Sequence, residues 1–82
     1  MTELTVSLLT GQLKYVFEDR PELRRATPQE LTAYLNREDR RARARARNPL
    51  GTTQEVEAQA AELDDRITED MVREALARLR PD

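Results

Sequence analysis

The stretch "TPQELTAYLNREDRRARARARNPLG", Thr27 to Gly51, decides how this chain folds and raises the question of what it does. Thr27, Pro28 and Glu30 make a helix start. The threonine hydroxyl can accept from the third helical amide, the glutamate can reach back to the Thr27 amide, and proline lacks a donor that the helix would leave unpaired anyway. Leu31, Tyr34 and Leu35 then share a face. Beyond Leu35 the only apolar residues are Ala42, Ala44 and Ala46, until Asn48-Pro49 stops the helix and Leu50-Gly51 turns the chain. The reading is a helix that outruns its own large apolar residues and carries arginines on the excess length.

Working outward, "TTQE" repeats the start signal, with Thr52 as cap and Glu55 three residues on. Val56, Ala60, Leu63 and Ile67 follow at helical spacing, which predicts one helix face and steps like a short heptad suited to a second copy. "ITEDMV" opens another helix capped by Thr68, with Ile67 and Val72 placed as a hydrophobic staple. Glu69 and Asp70 at its start, and Arg78 and Arg80 at its end, complement the helix dipole. Val72, Ala75, Leu76 and Leu79 form its stripe, and Pro81 ends it.

On the other side, Val6, Leu9, Leu13, Val16 and Phe17 fit one face of a helix over Thr5 to Asp19. Thr2 or Thr5 would cap it, Pro21 closes it, and Gly11 inside it costs about 1 kcal/mol relative to alanine. The alternation of "LTVSL", Leu4–Leu8, is the competing strand signal, and it has no partner strand. The longer stretch "LTVSLLTGQLKYVFEDRPEL", Leu4–Leu23, resembles the first helix of the exonuclease VII large subunit in its amphipathic pattern. That resemblance implies an oligonucleotide-binding barrel downstream, whereas Thr27-Pro28 opens another helix, so nothing is carried over.

The fold expected is therefore all-α: a single domain over residues 1–82, a small bundle of three to four helices. Its expected core is Leu9, Leu13, Val16, Phe17, Leu31, Leu35, Val56, Leu63, Ile67, Val72, Leu76 and Leu79.

Composition narrows the chemistry. The 82 residues include no cysteine and no histidine. Neither a disulfide nor a thiolate is available, and the commonest general base and metal ligand is missing. Ser7 and the threonines have no imidazole to activate them, Lys14 stands on a charged face, and the two glycines form no phosphate loop. The acids of "AELDDRITED", Glu62, Asp64, Asp65, Glu69 and Asp70, lack the glycine and ligand spacing of a calcium loop. The expectation is a non-enzyme with no catalytic residue, metal, cofactor or small-molecule substrate.

No run reaches the roughly 20 apolar residues of a membrane span. The opening "MTELTVSLLTG" lacks the basic segment and cleavage site of a signal peptide, which predicts a cytoplasmic place. Leu, Ile, Val and Phe together make up about one-fifth of the chain, so the core is thin. With a net charge of only −2, the high-charge half of the disorder signature is absent.

Charge is distributed unevenly. Residues 1–27 balance, residues 28–51 carry +3 and residues 52–82 carry −5. On a helix, Arg37, Arg41 and Arg45 share one face, and Arg40, Arg43 and Arg47 the next. Such a face can grip carboxylates or track phosphates. The plainest reading is a solvated helix end, with Glu38 and Asp39 pairing with arginines three or four residues away. Of the two contact readings the protein one leads, since no aromatic is interleaved for base stacking and no helix-turn-helix glycine is present. The expected function is a small regulatory or adaptor protein working through protein–protein contacts. Its partner would be an acidic protein surface or a second copy of this chain. The contact residues would be Arg37, Arg40, Arg41, Arg43, Arg45 and Arg47, with Tyr34 and Leu50 as apolar anchors. The alternative is a nucleic-acid binder using the same arginines on phosphate.

Overall fold

The computed structural model describes residues 3–79. Helix α1 spans Glu3–Asp19, α2 Pro28–Arg47, α3 Thr53–Ala61 and α4 Glu69–Leu79, with a 3₁₀ turn over Pro21–Arg25. No strand occurs among the described residues. The fold is all-α with four helices, as the patterning predicts. The "LTVSL" strand alternative and the barrel are both absent from it.

The helix starts are made by the capping residues. The Thr27 amide donates to Glu30 Oε1 at 2.9 Å, and the Glu30 amide donates to Thr27 Oγ1 at 3.1 Å. Thr52 and Glu55 repeat the reciprocal pair at α3. At α4 only half the motif exists: the Met71 amide donates to Thr68 Oγ1 at 3.3 Å, and methionine has no carboxylate to return. Helix α1 begins at Glu3, so Thr5 lies inside it, and Thr2 lies outside the described residues. Its end is set by Pro21, which drives Arg20 to φ −132° and ψ 83°. Arg80 and Pro81, expected at the end of α4, lie outside the described residues.

The contacts divide the chain into two compact units, Met1–Thr32 with Ile67–Asp82, and Ala33–Arg66. In the first unit, α1 packs on α4 and on the 3₁₀ turn. Val6, Leu9, Leu13, Val16 and Phe17 are buried along α1, with Leu31, Val72 and Ala75 also buried. Each large side chain removed from water contributes about 1.5–3 kcal/mol, which is the main term holding these helices. The Arg24 guanidinium lies 5.5 Å from the Phe17 ring centre, a cation–π contact.

In the second unit, Ala44 of α2 packs with Val56 and Ala60 of α3 and with half-buried Leu63. Two members of this cluster are alanines, so little apolar area is available. Leu35 and the side chain of Asn36 are buried as well.

Three expectations are corrected here. Helix α3 ends at Ala61, so Leu63 and Ile67 do not continue its stripe and no heptad is formed. The Glu62 and Leu63 amides close back onto Gln59 and Ala60 at 3.1 Å. Asp64 and Asp65 would sit at the negative end of a helix continued through them. Leu63, Ile67, Leu76 and Leu79 are half-buried rather than core. Ala44, Ala60 and Ala75 take buried positions instead, because a methyl lets two helix backbones approach where a leucine would hold them apart. Val6, on the α1 stripe, joins the core too.

Gly11 faces open space, and a Cβ there would meet nothing within 4 Å. Gly11→Ala is expected to stabilise the chain by up to about 1 kcal/mol. Ala75→Leu, at a fully buried crossing, is expected to destabilise it by about 1–3 kcal/mol. Urea unfolding of both variants against wild type, followed by circular dichroism, measures the two shifts.

Candidate functional site

The arginine run occupies the last three turns of α2, and the chain itself answers most of it. Arg41 Nε pairs with Glu57 of α3. Arg40 pairs with Asp65, in the irregular segment after α3. Arg43 donates to the Asp64 carbonyl at 2.6 Å. Arg45 donates to the carbonyls of Gly51 at 2.7 Å and Pro49 at 3.3 Å. The acidic half of the sequence therefore meets the basic half within one chain.

Asp39 is the centre of this network. Arg66 grips it with both arms of its fork, Nε to Oδ2 at 3.0 Å and Nη2 to Oδ1 at 2.6 Å. Arg43 Nε lies 3.0 Å from the same Oδ2, close enough for attraction but not aligned for a hydrogen bond. The Arg66 hydrogen bonds, and then the Arg66 and Arg43 charges, hold the Asp39 carboxyl below its ordinary range despite partial burial. The same contact raises the Arg66 guanidinium, and Glu57 raises Arg41. Below Asp39, the Arg66 amide donates to the buried Asn36 carboxamide oxygen at 3.2 Å. Asn36 and Asp39 thus pin the segment after α3 onto α2.

Two arginines of the run, Arg37 and Arg47, are exposed and make no ion pair or hydrogen bond among the described residues. Ten residues apart, they are about 15 Å apart along the axis and on different faces. Tyr34 is half-buried. Leu50 is 98% exposed, at the crest of the turn joining α2 to α3. That turn is closed by the Gly51 amide on the Asn48 carbonyl at 3.1 Å and by the two Arg45 contacts. A Cβ at Gly51 would meet the Asn48 carboxamide, which would have to turn aside. Beside the turn, a cleft of about 450 Å³ is lined by Ala42 and Val56 together with Glu38, Arg41, Arg45 and Glu57.

The expected contact residues are thus sorted by geometry. Arg40, Arg41, Arg43 and Arg45 are engaged within the chain, Arg37, Arg47 and Leu50 are presented outward, and Tyr34 is partly withdrawn. The local pairs of Glu38 with Arg41 and Asp39 with Arg43 follow from helical spacing. Asn36, Arg66 and the Arg66 grip on Asp39 escaped the sequence reading, because periodicity carries no signal for pairs nearly thirty residues apart. Among the described residues no three carboxylates converge as a metal set, and no helix is long and apolar enough to cross a membrane.

No family model, no curated protein and no solved structure matches the chain.

The Asp39 contact has a pH signature. Its carboxyl is depressed in the folded chain, as is that of Glu30 at the α2 cap. Stability from such groups is fully present above the unfolded carboxylate range and is lost as pH falls through the depressed values. Thermal melts should therefore hold between pH 7 and 5 and drop below about pH 4. Asp39→Asn should cost about 1–2 kcal/mol at neutral pH and flatten part of that drop. Arg37→Ala, at an unpaired position, should stay within about 0.5 kcal/mol of wild type.

Proposed function

We propose that this chain is a small non-enzymatic regulatory or adaptor protein, and that its contact surface is the α2–α3 turn with the outward arginines beside it. The observation that carries the reading is Leu50, 98% exposed on a turn fastened by Arg45. A single exposed leucine is ordinary on a surface. One held on a closed turn differs, because the entropy of ordering it is already spent before a partner arrives. Arg47 next to the turn, and the mixed lining of the adjoining cleft, supply the polar surround that a protein contact needs.

The partner chemistry follows from those groups. Leu50 fits an apolar pocket, and Arg47 and Arg37 fit carboxylates near it. The engaged arginines argue against the phosphate alternative. A duplex would meet two separated free cations on α2 rather than a continuous row, and each further phosphate would have to displace an oxygen of the chain already in place.

The test is affinity capture from source-cell lysate with wild type, Leu50→Asp and, as a control on another exposed leucine, Leu8→Asp. A specific protein retained by wild type and Leu8→Asp but lost with Leu50→Asp is the expected result. Size exclusion with light scattering, alone and with a short duplex at low and moderate salt, provides the counter-test. Co-elution with DNA that vanishes as salt rises would overturn the protein reading in favour of nucleic acid. A particle heavier than the monomer with no added partner would make a second copy the partner.

A further inference from the structure

The turn that carries Leu50 stands beside a cleft of the kind a leucine fills, and both belong to the second unit, Ala33–Arg66. Ala42, Thr53 and Val56 line that cleft, and Glu38, Arg41, Arg45 and Glu57 supply its charge. At about 450 Å³ it has more room than the four side-chain carbons of a leucine need, so the residues flanking that leucine can follow it in. The chain's own Leu50 stays outside, 98% exposed. Arg45 fixes the two features relative to each other. It lines the cleft, and its guanidinium donates to the carbonyls of Pro49 and Gly51, the neighbours of Leu50 on either side. The charges suit a self-contact too. Two carboxylates and two guanidiniums line the cleft, so a second copy of the same surface meets no net repulsion. Arg41 pairs closely with Glu57 and lies 3.8 Å from Glu38, which leaves Glu38 the more loosely held carboxylate. Arg47, three residues before Leu50, is the exposed cation nearest the turn.

We infer that the partner of this surface is a second copy of the chain, with Leu50 of each copy seated in the α2–α3 cleft of the other. A two-fold interface uses the same patch on both copies, so a protruding group and its receptor must lie side by side on one surface. Leu50 and the cleft meet that condition, tied together by Arg45. Each leucine packs on the partner's Ala42 and Val56, and each Arg47 reaches the partner's Glu38. One contact of this kind buries a single leucine, whereas the symmetric pair buries two and closes both clefts. The patch is small by the standard of stable interfaces, so the dimer assembles at micromolar rather than nanomolar concentration. The inference rests on the reading of the α2–α3 turn as the contact surface and names its partner.

The experiment is sedimentation equilibrium of the full chain from micromolar to millimolar concentration, on wild type and three variants. Leu50→Asp removes the protruding group. Ala42→Arg, at an exposed helical position, fills the cleft with a charged side chain that helix tolerates. Each should weaken self-association at least about a hundredfold. Leu8→Asp, on α1, should dimerise as wild type does. An equimolar mixture of Leu50→Asp and Ala42→Arg should associate again. That pair keeps one Leu50 against one open cleft, and it sets the introduced carboxylate opposite the introduced guanidinium. Circular dichroism melts confirm that each variant is folded before its mass is read. Wild type that stays a monomer throughout would overturn the inference, and so would a mixture no heavier than its components. Neither result touches the reading beneath it, which stands if capture of a different protein depends on Leu50 and falls if capture ignores Leu50→Asp. A dimer that survives both Leu50→Asp and Ala42→Arg would place the self-contact elsewhere on the chain and overturn the inference as well.

Discussion

The pairing of Asp39 with Arg66 and Arg43 is the contact on which the second unit depends. The apolar cluster there consists of Ala44, Val56, Ala60 and Leu63, and two alanines bury too little area to fix a hairpin by themselves. What adds direction is charge. Asp39 receives a two-pronged fork from Arg66, the Asn36 carboxamide receives the Arg66 amide, and Arg40 and Arg43 reach the neighbouring Asp65 and Asp64. Single exposed pairs contribute at most about 1 kcal/mol each. A forked pair with a partly shielded carboxylate, backed by a buried amide, does better because the geometry is shared and little new entropy is lost for each added bond.

That arrangement also accounts for the alternation of arginine and alanine in α2. Both residues favour helix, so the element persists without large apolar side chains. Ala44 is buried against α3, and Arg43 and Arg45 on either side of it turn toward backbone carbonyls. The small residue permits close approach, and the long ones use their stems to reach around it. An arginine-rich stretch in this setting acts as a fastening first and as a surface second. The contact surface then falls to what the fastening leaves out: Arg37, Arg47 and the Leu50 crest.

Much of this was legible in the sequence. The capping residues Thr27, Thr52 and Thr68 announced their helices correctly, because a cap is a local event decided within four residues. The stripe on α1 predicted its buried face for the same reason. The end of α3 was not legible, since Ile67 falls in step with Val56 and Ala60, and only the clash of Asp64 and Asp65 with a helix C-terminus spoke against continuing. The alanine core positions were undervalued because patterning weighs side-chain size, whereas helix crossings select for the lack of it. Among the candidate site residues, sequence separated no engaged arginine from a free one. That distinction rests on Asp39, Glu57, Asp64 and Asp65, and on where the chain reversal puts them.

The two charge clusters show why density along the chain is a poor guide to a binding surface. The α2 run packs six arginines into eleven residues, from Arg37 to Arg47, and the fold brings oxygens to four of them. Lys14, Arg24 and Arg78 are scattered over more than sixty residues, and no stretch containing any of them reads as basic. Yet all three line one cleft with Phe17 and Leu79. A cation's availability is set by which acids can reach it, and reach is a property of packing. Helix α4 makes the point within one residue. Arg78 reads from sequence as a helix-end charge answering the dipole, and it still has Glu74 one turn back at 3.5 Å.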